Sequence, residues 1–328
     1  MMKVPFSDLK KELKRVLLKL SFKEDKAELC AAIFASNSRD GVYSHGLNRF
    51  PYFVSTVKDG SVDIDAEPRM LESKGLMEIW DGNLGAGVYN ATQAMNRAIE
   101  LAKTNGMGCV AMRNTNHWMR GGTYGWQAAD AGCIGICFTN TMANMPPWGG
   151  KEPRLGNNPM VIAIPRDEGH IVLDMAMSQF SYGKLQQTNR ANGELEVYGG
   201  YDEDGNLSKD PSAIIQSRRA LPIGYWKGSG LSFILDVLLT AITGGRSTAA
   251  INSTVSETGV SQFFLCLYQS DYHQELIEQI IEYTKSSLPT EPGGHISYPG
   301  ENTLARRRMN ELNGIPVDEK IWTELLKM

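Results

Sequence analysis

Two of the five histidines in this 328-residue chain stand in short stretches whose neighbours suit acid–base chemistry on an anionic carbonyl compound. The first is Gly41-Val-Tyr-Ser-His45-Gly-Leu-Asn-Arg49, and the second is Asn116-His117-Trp-Met-Arg-Gly-Gly122. A histidine can give up a proton near neutral pH, and an arginine can hold a planar carboxylate through two parallel hydrogen bonds. Together they are the tools for reducing a keto acid. A histidine after a turn is more often a structural hydrogen-bonding residue, but the Ser-His-Gly-x-x-Arg grouping puts proton donor and carboxylate clamp within five residues. His117, beside Trp118 and a Gly-Gly turn, reads equally as a second site residue or a packed one. His170, His273 and His295 lie in polar surroundings that suggest no catalytic proton.

These stretches need elements to hold them. Apolar residues at helical spacing predict helices over about 7–20 and 23–36, a third after His45 with Pro51 in its early turns, and a long one over 88–104 ended by Asn105-Gly106. Strand-like runs follow at 77–80, 107–112, 134–139, 160–165 and 171–177, with a short helix at 123–130. An apolar helix at 231–242, a strand at 262–267 and helices at 274–286, 303–311 and 317–327 complete the chain. The order predicts an α/β protein with a mixed sheet, flanked by a helical layer built from both termini. The expected division is residues 1–75 plus 300–328 for the helical layer and 76–299 for an α/β unit binding cofactor and substrate. Ser287 to Glu301, with three prolines and three glycines, is the expected linker.

Composition narrows the partners. Apolar residues make up 42% and charged residues 21%, as in ordinary globular proteins. A net charge of −4 offers no pull toward nucleic acid or an anionic membrane, and the most apolar stretch is too short to span a bilayer. A cytoplasmic protein without nucleic-acid or membrane partners is expected. The five cysteines, each among apolar residues, read as buried thiols, and no spacing suits a metal. The G-x-G-x-x-G dinucleotide loop is absent, as are the P-loop and the hydrolase nucleophile elbow. What remains is Gly224-Tyr-Trp226-Lys227-Gly-Ser-Gly230 ahead of the apolar helix, either a phosphate-binding turn or a tight turn with a stacked tryptophan. Asp174, inside Val-Leu-Asp-Met-Ala, reads as a buried carboxylate that serves a cofactor or ties two strands.

Taken together, the His45 and His117 stretches, Met145-Pro-Pro-Trp-Gly149, Phe180-Ser-Tyr-Gly183 and Arg218-Arg219 through Gly230 resemble the malate/L-lactate dehydrogenase family of the second type, over nearly the whole chain. The resemblance implies a non-Rossmann NAD(P)-binding fold and a homodimer with its active site near the subunit interface. It implies His45 as proton donor. It also implies cofactor contacts at His170, Ile171, Val172, Leu173, Asp174, Met175 and Ala176, at Trp226 and Lys227, and at Gly300, Glu301 and Asn302. The His-Trp-Met-Arg and Gly-Tyr-Trp-Lys stretches point within the family to a branch that reduces the C2 carbonyl of a diketo sugar acid, with NADH (or NADPH) as hydride source. Arg49 is then the candidate clamp for the C1 carboxylate, while Ser44, His117 and Thr123 are candidates for contacting the rest of the substrate. Malate, lactate, ureidoglycolate or a cyclic imino acid as substrate is the alternative on the same scaffold, and a non-catalytic sugar-acid or nucleotide-binding protein the alternative outside it. Gly156-Asn157-Asn158-Pro159 departs from the family's usual Gly-Thr-Asn-Pro, and Pro299 to Asn302 departs in residue type.

Overall fold

The computed structural model describes residues 2–254 and 256–328. A short strand β1 (Lys3–Val4) leads into α1 (Phe6–Lys19), whose Leu9, Leu13, Val16 and Leu17 form one buried stripe against α2 (Glu24–Arg39). The chain then makes two short 3-10 turns, Tyr43–His45 and Leu47–Arg49, before α3 (Phe50–Lys58), which accepts Pro51 in its first turn, where no intrahelical N–H is needed. Phe34, Phe50 and Phe53 meet edge-on or tilted beneath these turns, with Phe34 and Phe50 centroids 5.1 Å apart. The His45–Arg49 stretch therefore rests on a packed aromatic floor.

The sheet follows. β2 (Arg69–Lys74) and β3 (Met77–Asp81) form a hairpin, α4 (Gly87–Asn105) crosses over, and β4 (Met107–Asn116) returns parallel to β3. α5 (Gly122–Asp130), β5 (Ile134–Thr139), β6 (Met160–Ile164) and β7 (Ile171–Met175) come next. An excursion of α6 (Tyr182–Arg190), β8 (Gly200–Tyr201), β9 (Leu207–Ser208) and α7 (Pro211–Ser217) packs around Leu185, Leu195 and Ile214. α8 (Trp226–Thr243), α9 (Thr248–Asn252) and β10 (Thr258–Leu267) bring the chain back into the sheet, in the order β2-β3-β4-β10-β5-β6-β7. Among the described residues, β3 and β4 form the one parallel strand pair of this sheet, and its other adjacent strands pair antiparallel. A Rossmann sheet needs successive parallel strands, so this is a different α/β fold, as the missing glycine loop predicts.

α10 (Gln274–Lys285), α11 (Glu301–Asn313), β11 (Ile315–Pro316) and α12 (Glu319–Lys327) close the chain. β11 pairs antiparallel with β1, Val4 opposite Ile315, and Trp322 and Leu325 join the core of α1, α2 and α3. Both ends of the chain thus build one helical layer beside the mixed sheet.

Several boundaries differ from the sequence expectation. β2 is exposed along its whole length and carries no alternation to read. β10 begins four residues earlier than expected, because register shifts between Thr258 and Gln262 break the period-two pattern there. α8 begins at Trp226, so Trp226 and Lys227 lie in its first turn rather than in a loop ahead of it. The expected linker is no free tether: Val172 N donates to Pro299 O (2.9 Å), which fixes it against β7.

Candidate active site

Pairing and tight backbone approach bring the two histidine stretches together. Asn116 ends β4 opposite Thr258 of β10, and its side-chain amide donates to the carbonyls of Ser61, Leu84 and Gly85. At Gly87, where α4 begins, an added Cβ would lie 2.2 Å from Asn116 O and 2.4 Å from His117 O. Only glycine lets this helix press on the His117 backbone. The other stretch hangs from α2: Asn37 Nδ2 donates to His45 O (2.9 Å), and Leu47 N donates to Ser38 Oγ (2.8 Å). The result is a pair of nearly parallel imidazoles, His45 and His117, with centroids 6.0 Å apart and 16° between planes.

Both rings are held neutral. Burial first, and the Arg49 and Arg120 charges second, push His45 down to about 4. Burial first, then Arg49 and His45, also hold His117 well below its usual range. Met119 N donates to His117 Nδ1 (2.9 Å), so the neutral ring of His117 carries its proton on Nε2. In that tautomer His117 is a hydrogen-bond donor. Ser44 Oγ lies 3.0 Å from His45 Nδ1 and fixes that ring's orientation.

The rings stand where two spaces meet. One is a groove of about 590 Å³ lined by Val172, Leu173, Asp174 and Ala176, by Ser297 to Gly300, and by Asn302. The other is a chamber of about 250 Å³ lined by polar side chains, among them Arg49, Thr141, Asn144, Asn157, Gln186 and Arg218. Ser44, His45 and His117 border both. Gly300, at φ +97°, packs so closely on β7 that a Cβ would lie 2.9 Å from Val172 N and 3.0 Å from His170 O. Only glycine lets the 297–302 segment press this closely on β7, which sets the width of the groove there.

A buried charge cluster ties these parts together. Asp40 accepts from Arg120 (2.7 Å) and from both the Nε and Nη2 of Arg307 (2.8 Å each). Arg120 Nε also lies 3.5 Å from Asp174 Oδ2, which accepts from Gly122 N (3.0 Å); Asp174 itself is exposed rather than buried as its apolar neighbours suggest, because β7 turns it to the open groove. Burial pushes Asp40 up, but the Arg307 hydrogen bonds and the charges of Arg120 and Arg39 outweigh it and hold the carboxyl below its usual range. The cluster links α2, the His117 stretch, β7 and α11.

Not every residue singled out from the sequence reaches these spaces. Arg49 ends the second 3-10 turn, stacks over Tyr52 (4.2 Å) and borders the chamber. Thr123 is not on either lining: its hydroxyl donates to Asn37 Oδ1 (2.7 Å), the side chain that holds His45. His170 engages Asp130 through Nε2 and accepts from Arg166 N through Nδ1; Ile171 and Met175 lie on the same strand but off the groove wall. Glu301 binds Lys285 and Tyr298 N, away from the groove. Trp226 and Lys227 stand exposed at the start of α8, near the end of β7, where Ile223 N donates to Met177 O (2.8 Å). The chamber residues Thr141, Asn144 and Glu257 escaped sequence reading. The first two follow a predicted strand, a usual place for ligand contacts, whereas Glu257 lies in a polar loop with no motif.

Comparison with known proteins decides the class. The model of the malate/L-lactate dehydrogenase family matches residues 4–326. The chain belongs to the malate/L-lactate dehydrogenase family. It is 43% identical to the 2,3-diketo-L-gulonate reductase of Mannheimia succiniciproducens and 44% identical to that of Pasteurella multocida, each over 99% of both chains. Among solved structures, sulfolactate dehydrogenase from Methanocaldococcus jannaschii superposes with a TM-score of 0.88 at 29% identity, over 99% of this chain and 96% of that one. Like those members of the family, this chain is an oxidoreductase.

Proposed function

We propose that the protein reduces the C2 carbonyl of 2,3-diketo-L-gulonate, giving 3-dehydro-L-gulonate. The observation that carries this reading is the His45–His117 pair at the junction of a groove along β7 and a chamber rich in hydrogen-bonding side chains. A polyhydroxylated acid needs such a chamber; pyruvate or oxaloacetate would leave most of its polar groups unmatched. A nicotinamide cofactor, NADH or NADPH, supplies the hydride when bound, and Val172, Leu173, Asp174, Ala176, Gly300 and Asn302 are the residues that would hold it.

In this reading Arg49 clamps the C1 carboxylate, with its planar fork matched to the two oxygens. His117 donates from Nε2 to a substrate oxygen. His45 gives its proton to the C2 oxygen as negative charge develops there, an acid catalysis worth roughly 10²–10⁴-fold in rate. Ser44 orients His45, and Thr123 acts at one remove, through Asn37. The apolar outer face of α8, with Trp226, Phe233, Ile234 and Val237 exposed, supports a homodimer formed through that helix.

Purified protein should consume NADH fastest with 2,3-diketo-L-gulonate in a panel that includes oxaloacetate, pyruvate and a cyclic imino acid. His45→Gln should lose turnover and still bind NADH. Near-normal turnover in that variant would sink the acid assignment, and preference for pyruvate or oxaloacetate would sink the substrate.

A further inference from the structure

Beside His117 lies a third, much smaller cavity of about 20 Å³, room for little more than one water molecule. Arg49, Asn116, His117, Thr258 and Glu257 are among its walls. Thr258 pairs with Asn116, so the antiparallel register sets Glu257 beside His117. Glu257 borders the polar chamber as well. Arg49 Nε and Glu257 Oε1 are both shut from solvent, and neither has a hydrogen-bond partner among the described residues. A guanidinium and a carboxyl thus border one site without satisfying each other. Buried polar groups are rarely left so unless a ligand completes them.

The mechanism above uses Arg49 and leaves Glu257 idle, although a carboxylate there would oppose the substrate. Arg49 draws in an anionic acid group, and two like charges side by side in a water-poor site cannot both persist. A neutral carboxyl removes the conflict and adds an O–H donor. We propose that Glu257 is a substrate-binding residue that works in its neutral form, donating its carboxyl proton to the substrate's acid group while Arg49 supplies the charge. This rests on the reading in which Arg49 holds that group. The charged and titratable neighbours on these walls are Arg49, Tyr52 and His117 on one side and His45, Tyr182 and Arg218 on the other. Burial lifts the free Glu257 to about 7 against the opposing pull of Arg49, so a ligand that needs it protonated must bring a proton with it above that pH.

The test is calorimetry of oxamate, a redox-inert carbonyl acid, binding to the NADH-loaded enzyme in two buffers of different ionisation heat. His45 also gains a proton with such a ligand, so the decisive protein is His45→Gln, in which Glu257 is intact. With a value of about 7, this variant should take up about nine-tenths of a proton at about pH 8 and about one-tenth at about pH 6. Glu257→Gln, which keeps a donor but cannot ionise, should take up about nine-tenths of a proton less than wild type at about pH 8. Oxamate binding to His45→Gln with no uptake at the higher pH overturns the proposal and leaves the Arg49 clamp standing. Absence of oxamate binding to any form removes the clamp, and the proposal with it.

Discussion

Titrating the reduction across pH isolates the proton that His45 carries. Burial and the Arg49 and Arg120 charges bring that ring to about 4, so near pH 7 only about one free enzyme molecule in a thousand holds the imidazolium, a handicap of about 4 kcal/mol. Because kcat/KM reports the ionisations of the free enzyme, it should fall about tenfold for each unit of pH rise from about 5 to 7. The slope should steepen above about 7, where Glu257 ionises as well. The sign is fixed by the chemistry: reduction consumes a proton, so the protonated fraction is the competent one. The assay is initial NADH oxidation with 2,3-diketo-L-gulonate at saturating NADH, read against the same enzyme running alcohol oxidation, where the neutral ring is the competent form and the slope should vanish. A reduction profile that is flat from about pH 5 to 7 would refute the argument, since it would mean either another acid or a His45 that is already charged.

Two further outcomes test the scaffold. Asp40→Asn removes the carboxylate that faces Arg120 and Arg307 and leaves those guanidiniums buried without their counter-ion. Stability measured by urea unfolding should drop by about 3–5 kcal/mol, and a loss under about 1 kcal/mol would show the cluster to be solvated. Ile234→Glu places a charge in the apolar outer face of α8. Wild type should sediment at twice the chain mass and this variant as a monomer, and a variant that stays dimeric would place the interface elsewhere.

Much of the site is written in the sequence, because local chemistry and local period are short-range properties. The stripe Leu9, Leu13, Val16 and Leu17, the helix ending at Gly106 and the missing glycine loop can each be read within a window of a few residues, and they already give an α/β fold without a Rossmann loop. The histidine stretches declare their tools in the same way. What neighbouring residues cannot declare is who faces whom. Glu257 is one polar residue in a loop until β10 pairs with β4 and sets it beside His117. Thr123 looks like a substrate contact until folding turns its hydroxyl to Asn37. The 287–301 stretch has a linker's composition, yet a backbone hydrogen bond to β7 makes part of it the wall of the groove. Burial, which decides the charge of both histidines, is likewise a sum over segments far apart in the chain. Residue types and spacing determine what chemistry is available; long-range pairing and exclusion of water decide which groups meet and in what protonation state.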